Sequence, residues 1–238
     1  MVFSSLPFLF LFLTVVLLVS HLLPFKFRNF FLLLANLVFY AYGEPVYVLI
    51  MIASILVNFF AGVLMDKQPT QSRRRAVLVV GIVLNLAALG VFKYAGLFVD
   101  TLRGIPAFSS LPEVNIALPI GISFYTFQAV SYLIDVYWDD CEASHNFVNF
   151  ACYISLFPQL IAGPIVRYRD VNEQLVSRHE TPTLFNSGVR LFMVGMAKKV
   201  LLANQFGMLW ESVSADPVAA GAIGAWVGGL RLHPADLL

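Results

Sequence analysis

Residues 46–65 read VYVLIMIASILVNFFAGVLM, an uncharged run, and residues 66–75 follow it with DKQPTQSRRR. An α-helix of about 20 apolar residues matches the ~30 Å of hydrocarbon in a bilayer. The polar run that ends it supplies a loop at the water interface. Other stretches repeat the pattern along the chain. Val2–Leu23, Asn29–Tyr42, Ala76–Val99, Asn115–Trp138 and Phe147–Val166 are apolar, and Lys93 lies near enough to the end of its run to snorkel. Leu184–Trp210 is long and amphipathic with Lys198 and Lys199 inside it, whereas Val218–Leu230 is rich in Gly and Ala and short. Hydrophobic residues make up 59% of the 238 and charged residues 12%, with a mean hydropathy of +0.81. A soluble domain carries about 45–50% apolar and about 25% charged residues. The surplus exceeds what one water-facing globule can bury, so the expected fold is all-α, built of polytopic transmembrane helices.

The charges between these runs give an orientation. Lys26 and Arg28 follow the first run, and Lys67, Arg73, Arg74 and Arg75 follow the third. Gly43-Glu44-Pro45, between the second and third, has no positive charge. Positive loops stay cytoplasmic, which predicts a periplasmic or, more generally, extracytoplasmic N-terminus. Met1–Leu23 lacks a positive n-region and an Ala-x-Ala site, and its apolar run is too long for a signal peptide. It reads as a retained helix. Beyond residue 115 the spacing admits a re-entrant fifth segment. That would leave the acidic loop Asp139–Glu142 outside, with the sixth segment crossing inward to Arg167, Arg169 and Arg178.

Composition excludes several chemistries. A net charge of +1 gives no electrostatic case for nucleic acid. Cys141 and Cys152 are too few for a disulfide framework and read as free thiols. His21, His145, His179 and His233 are scattered without metal-binding spacing, so no metal site is expected. No Gly-rich phosphate loop or nucleophile elbow occurs. The loops Asp100–Val114 and Arg167–Thr183 are too small to fold alone.

Three features carry candidate chemistry. Ala117–Tyr125 contains Pro119 and Gly121, which break a helix at membrane depth. The break is either a plain kink or the wall of a polar cavity faced by Ser123, Tyr125, Thr126 and Gln128. Asp135 is ionisable inside an apolar segment, a functional signature. Tyr132, Tyr137 and Trp138 around it instead fit an interfacial aromatic belt. Phe157–Asp170 contains Pro158, Gly163 and Pro164, a second interruption with Gln159 inside it. Arg167 and Arg169 at its exit suit lipid headgroups or an anionic donor. On these grounds alone a transporter fits as well as an enzyme, because transporters also use broken helices.

These strings, in their order, resemble the membrane-bound O-acyltransferase family and its bacterial alginate O-acetylase branch. Met1–Ser5, Arg28-Asn29-Phe30, Phe39–Tyr42, Phe92-Lys93-Tyr94, Leu118–Tyr125, Ser131–Tyr137, Phe157–Arg169 and Lys198-Lys199-Val200 carry the likeness across residues 1–230. The resemblance implies a ring of membrane helices around a thinned centre. It implies an acetyl donor, acetyl-CoA or a derived acyl group, arriving from the cytoplasm as a substrate, with no bound cofactor. It implies a polysaccharide acceptor and periplasmic acetyl-transfer proteins as partners besides membrane lipids. A general-base histidine belongs to the second half of that fold. No catalytic residue is carried onto this chain; Pro119, Gly121, Gln159, Gly163, Pro164 and Arg167 are the candidates for shaping the substrate channel. Alternative acceptors are cellulose, peptidoglycan or a teichoic acid carrier.

At the C-terminus the likeness stops. A set of codons can be chosen for Arg231–Leu238 that, read one base on, would encode the continuation that the resemblance implies, so residues 231–238 read as an out-of-frame tail. Residues 1–230 then form the N-terminal part of an acyltransferase domain without its catalytic histidine. His233 falls in the tail. The expectation is an incomplete fold, inactive alone.

Overall fold

The computed structural model describes residues 5–104, 112, 117–160, 164–178 and 180–208, and among them no strand occurs. The chain divides into two units, Val15–Arg178 and Val2–Thr14 with His179–Leu238. The apolar stretch 218–230 and the tail 231–238 lie outside the described residues.

The helices of the larger unit start and stop where local chemistry demands. The first, α1, is Thr14–Leu22. Pro24, in extended conformation, opens α2, Phe25–Gly43. Gly43-Glu44-Pro45 ends α2, and α3 follows as Val48–Asp66. Pro69 and Thr70 break the chain before α4, Gln71–Arg103. Then come α5, Ile122–Tyr137, α6, Phe147–Ser155, the single turn α7, Phe157–Leu160, and α8, Tyr168–Val176. Among these, α3 and α4 are long and apolar enough to cross a membrane. Their most apolar windows have mean hydropathies of 2.5 and 2.3, yet only 33% and 17% of them is buried. A core helix of a soluble protein would be hidden at that hydropathy. Here Leu49, Phe60, Val80, Val83, Leu84 and Val91 point outward.

The α3–α4 contact is built on small and polar residues. Asn58 of α3 and Asn85 of α4 exchange side-chain hydrogen bonds of 3.0 and 2.7 Å. Gly62 lies under the Tyr132 hydroxyl and Gly81 under Leu133, so neither position has room for a Cβ. Apolar surface gains little by meeting another helix in lipid. Small residues and interhelical hydrogen bonds, which work in either solvent, make the seam. Around it α5 buries Tyr125, Ala129, Tyr132, Leu133 and Val136, the i, i+4, i+7 stripe of a core-facing helix.

Charges gather at one end of this unit. Arg74 donates to both carboxylate oxygens of Asp139, at 2.6 and 3.1 Å, and to the Val136 carbonyl at 2.8 Å. His145 stands 3.2 Å from Asp66, and Arg169 3.7 Å from Asp140. This corrects the re-entrant fifth segment. The acidic loop 139–142 shares an end with Arg74, so α5 runs the same way as α3. The interrupted segment is the sixth. α6 starts at this end, where Asn149 accepts a 2.9 Å hydrogen bond from Asn29. α8 lies there too, because Asn29 also donates to the Leu175 carbonyl at 2.6 Å. α6, α7 and residues 164–167 therefore go in and come back. The helix that starts at Phe147 is broken at Leu156. Among the described residues 117–138 the helix starts at Ile122.

In the smaller unit, Thr181 accepts from the Leu184 amide at 3.2 Å and Pro182 takes the first turn of α9, Pro182–Lys198. This is a cap and a proline in their favoured positions. A π-helical stretch, Lys199–Ala203, continues it.

Candidate functional site

The in-and-out segment raises a hydrogen-bonding problem that its neighbours solve. A break in a helix frees backbone groups, and away from water each must find a partner. Three amide side chains do this. Asn36 of α2, fully buried, accepts from the Phe157 amide at 3.3 Å, which is the donor released at the α6–α7 break. Its own amide points at Ser155 Oγ, 3.5 Å away. Gln128 of α5 donates to the Tyr153 carbonyl at 3.2 Å and to Gln159 Oε1 at 3.3 Å. Asn29, seven residues before Asn36 and so on the same face of α2, ties α6 to α8 as above. Tyr132, Phe150, Tyr153 and Tyr168 then stack α5, α6 and α8, with Tyr132 and Tyr153 edge-on to Tyr168 at 5.1 and 5.2 Å. The Tyr153 hydroxyl donates to the Val166 carbonyl at 2.9 Å and pins the returning strand of chain.

The tip of the excursion meets the second break. Gly121 has φ +78°, and a Cβ there would enter the Leu160 carbonyl. Only glycine combines that backbone with that approach. It also permits α5 to start late: 16 residues give a helix of about 24 Å, short of a bilayer. α6 reaches only about 14 Å in. Two short helices therefore lie side by side, and the start of α5 meets the end of α7 at Gly121 and Leu160.

The candidate residues divide between the two ends of this arrangement. Pro119 is buried at the junction, Gly121 touches Leu160, and Gln159 is half-buried against Gln128. Pro164 and Arg167 are exposed on the returning segment, with Arg167 at the start of α8 beside the charged end. Gly163 lies outside the described residues. Tyr125, Thr126 and Gln128 are packed into the core, and Gln128 is taken up by the bonds above.

Asp135 corrects the interfacial reading. It is 3% exposed, its Oδ2 has no hydrogen-bond partner, and Trp138 rather than Asp135 takes the surface at 66%. The amides at Asn29, Asn36 and Asn149 were missed as site-builders. Their signal was legible, since each is an amide inside an apolar helical run.

The loop after α5 holds no ready nucleophile. Burial first, then Asp135 and Asp140, push the Cys141 thiol up to about 12, so it is not a thiolate at neutral pH. Arg74 holds the Asp139 carboxyl below the usual carboxylate range. Among the described residues no three His, Cys, Asp or Glu side chains group as metal ligands. His145 faces Asp66 at the charged end and is more than half exposed.

Comparison with known proteins fixes the class. The chain is 40% identical over 236 residues to the probable alginate O-acetylase AlgI of Pseudomonas aeruginosa, covering 97% of this chain and 45% of that protein. It is 41% identical to the probable alginate O-acetylase AlgI of Azotobacter vinelandii, covering 97% and 47%. It is 27% identical to the peptidoglycan O-acetyltransferase of Helicobacter pylori, covering 86% and 44%. No protein-family model and no solved structure matches. The chain spans about half the length of the curated relatives it matches. The chain belongs to the membrane-bound O-acyltransferases, and within them its similarity falls on the alginate O-acetylase branch. The transporter alternative is not favoured by these relatives.

Proposed function

We propose that this chain forms part of a multi-pass inner-membrane enzyme that transfers an acetyl group to a hydroxyl of alginate or a similar exopolysaccharide. The observation that carries this reading is the 40–41% identity to alginate O-acetylases along 97% of the chain. The outward-facing apolar sides of α3 and α4 support a lipid setting for polytopic helices. The charge rule supports a cytoplasmic charged end and a periplasmic N-terminus.

In this reading the two partial helices thin the barrier between donor and acceptor. The acceptor oxygen attacks the acyl carbonyl carbon, a C–O bond forms, the bond from acyl carbon to the donor's leaving group breaks, and the hydroxyl proton leaves with that group. Pro119, Gly121 and Gln159 shape the wall at the junction. Pro164 and Arg167 belong to the donor side, where a guanidinium suits phosphate oxygens of acetyl-CoA or a related acyl donor. Periplasmic acetyl-transfer proteins would receive the product at the other face.

Deleting the gene that encodes this chain and measuring base-labile acetate on secreted polysaccharide tests the reading. The expected result is loss of polysaccharide acetylation, and full acetylation in the deletion strain overturns it. The likeness to a peptidoglycan O-acetyltransferase favours one second reading, the same chemistry on the cell wall. Loss of acetate from peptidoglycan alone would select it.

A further inference from the structure

A pocket of about 410 Å³ opens between the start of α2, the start of α6 and the end of α8, at the charged end. Phe25, Phe30, Val148 and Val176 give it apolar walls, and Lys26, Asn146 and Asn149 give it polar ones. Its hydrogen-bonding state is lopsided. Each of these acceptors already takes a donor: Asn149 Oδ1 takes Asn29, Asn29 Oδ1 takes Arg178, Asn146 Oδ1 takes the amides of Val148 and Asn149, and the Leu175 carbonyl takes Asn29. Lys26 Nζ and the side-chain amides of Asn146 and Asn149 have no partner among the described residues. A pocket with a cation and unused donors beside engaged acceptors calls for an anion. Its apolar half calls for a chain attached to that anion.

We propose that this pocket holds the phosphate headgroup of an anionic membrane lipid, with the phosphate on Lys26, Asn146 and Asn149 and the first acyl carbons against Phe30, Val148 and Val176. The place fits, because a charged end bearing Lys26, Lys67 and Arg73–Arg75 lies at headgroup level if α3 and α4 cross the bilayer. The inference thus rests on the membrane setting proposed above but not on the acetyl-transfer activity. An occupied site would tie α2, α6 and α8 together where the in-and-out segment is anchored.

The test is native mass spectrometry of the full chain in detergent, titrated with phosphatidylglycerol, phosphatidylcholine or inorganic phosphate. One phosphatidylglycerol should stay bound. Lys26→Gln should weaken it at least tenfold, as should Val176→Trp, which fills the pocket mouth at an exposed position without breaking a hydrogen bond. Lys67→Gln, at another exposed cation on the α3–α4 loop, should leave binding unchanged. Equal binding by Lys26→Gln and Lys67→Gln, or equal retention of phosphatidylcholine, overturns the proposal. Displacement of the lipid by an equal concentration of inorganic phosphate overturns it in favour of a soluble phosphate ester. Failure of the membrane setting itself reads differently: the chain would then not float with vesicles of either lipid.

Discussion

The α3–α4 pair and the α6–α7 excursion solve one problem in opposite ways. α3 and α4 satisfy their backbones internally over 19 and 33 residues, so their side chains are free to face outward and need only a narrow seam, Asn58–Asn85 with Gly62 and Gly81. α6 and α7 stop after nine and four residues. Their loose backbone groups depend on side chains lent by other helices, chiefly Asn36 and Gln128. The difference teaches where specificity resides. A continuous helix tolerates change along most of its length, whereas a broken one is only as stable as the neighbours that complete it.

The sharpest way to break this contrast is Gly121→Ala. The substitution puts a Cβ on a φ of +78° and drives it into the Leu160 carbonyl. The left-handed backbone costs about 1–2 kcal/mol, and overpacking against a rigid carbonyl adds about 1–3 kcal/mol. We expect little folded protein in membranes, measured as detergent-extractable monodisperse chain. Gly90→Ala on α4, where nothing lies within 4 Å, should behave as the parent. Equal yields for the two variants would remove the junction from the account.

Next comes Asn36→Leu. It leaves the buried Phe157 amide without an acceptor, at about 1–3 kcal/mol. Asn36→Asp keeps an acceptor in the same place and should recover part of the loss in thermal stability. If leucine and aspartate variants melt alike, the amide completes nothing.

Much of this contrast was legible in the residues. Proline and glycine at 119, 121, 158, 163 and 164 mark the breaks, and the uncharged run 46–65 marks a helix long enough to cross a membrane. The direction of the fifth segment was not legible, because it depends on Arg74 meeting Asp139 across 65 positions of sequence. Asp135 misled for a related reason. Its aromatic neighbours look like an interface belt, yet Tyr132 turns inward onto Phe150 and Tyr168 and takes that helical face with it. The amides on α2 were visible but unassigned, since a donor has no meaning until the break it serves is placed opposite.

The seam of the continuous pair should respond less. Asn58→Leu removes one half of a reciprocal pair, and interhelical hydrogen bonds in membrane proteins are worth about 0.6–1.7 kcal/mol. Asn58→Leu with Asn85→Leu should be no worse than either single variant, because both orphaned amides are then gone. A double variant whose loss equals the sum of the singles would show that the two side chains act independently, and thermal melts of the three proteins decide it.

The smallest effect belongs to the exposed pair that fixes the direction of α5. Arg74 lowers the Asp139 carboxyl below its unfolded value. A depressed acid stabilises the fold above its unfolded pKa and loses that contribution as pH falls through the folded one. The window is therefore the acid side of the usual carboxylate range, not neutrality. Asp139 is 73% exposed, so water and salt screen the pair. Melting temperature should fall slightly on acidification in the parent protein, less in 1 M salt, and least in Asp139→Asn. Arg74→Gln should cost more than Asp139→Asn, because Arg74 also caps the Val136 carbonyl at the end of α5. The reverse order would mean that the ion pair, rather than the helix cap, holds α5 to α4.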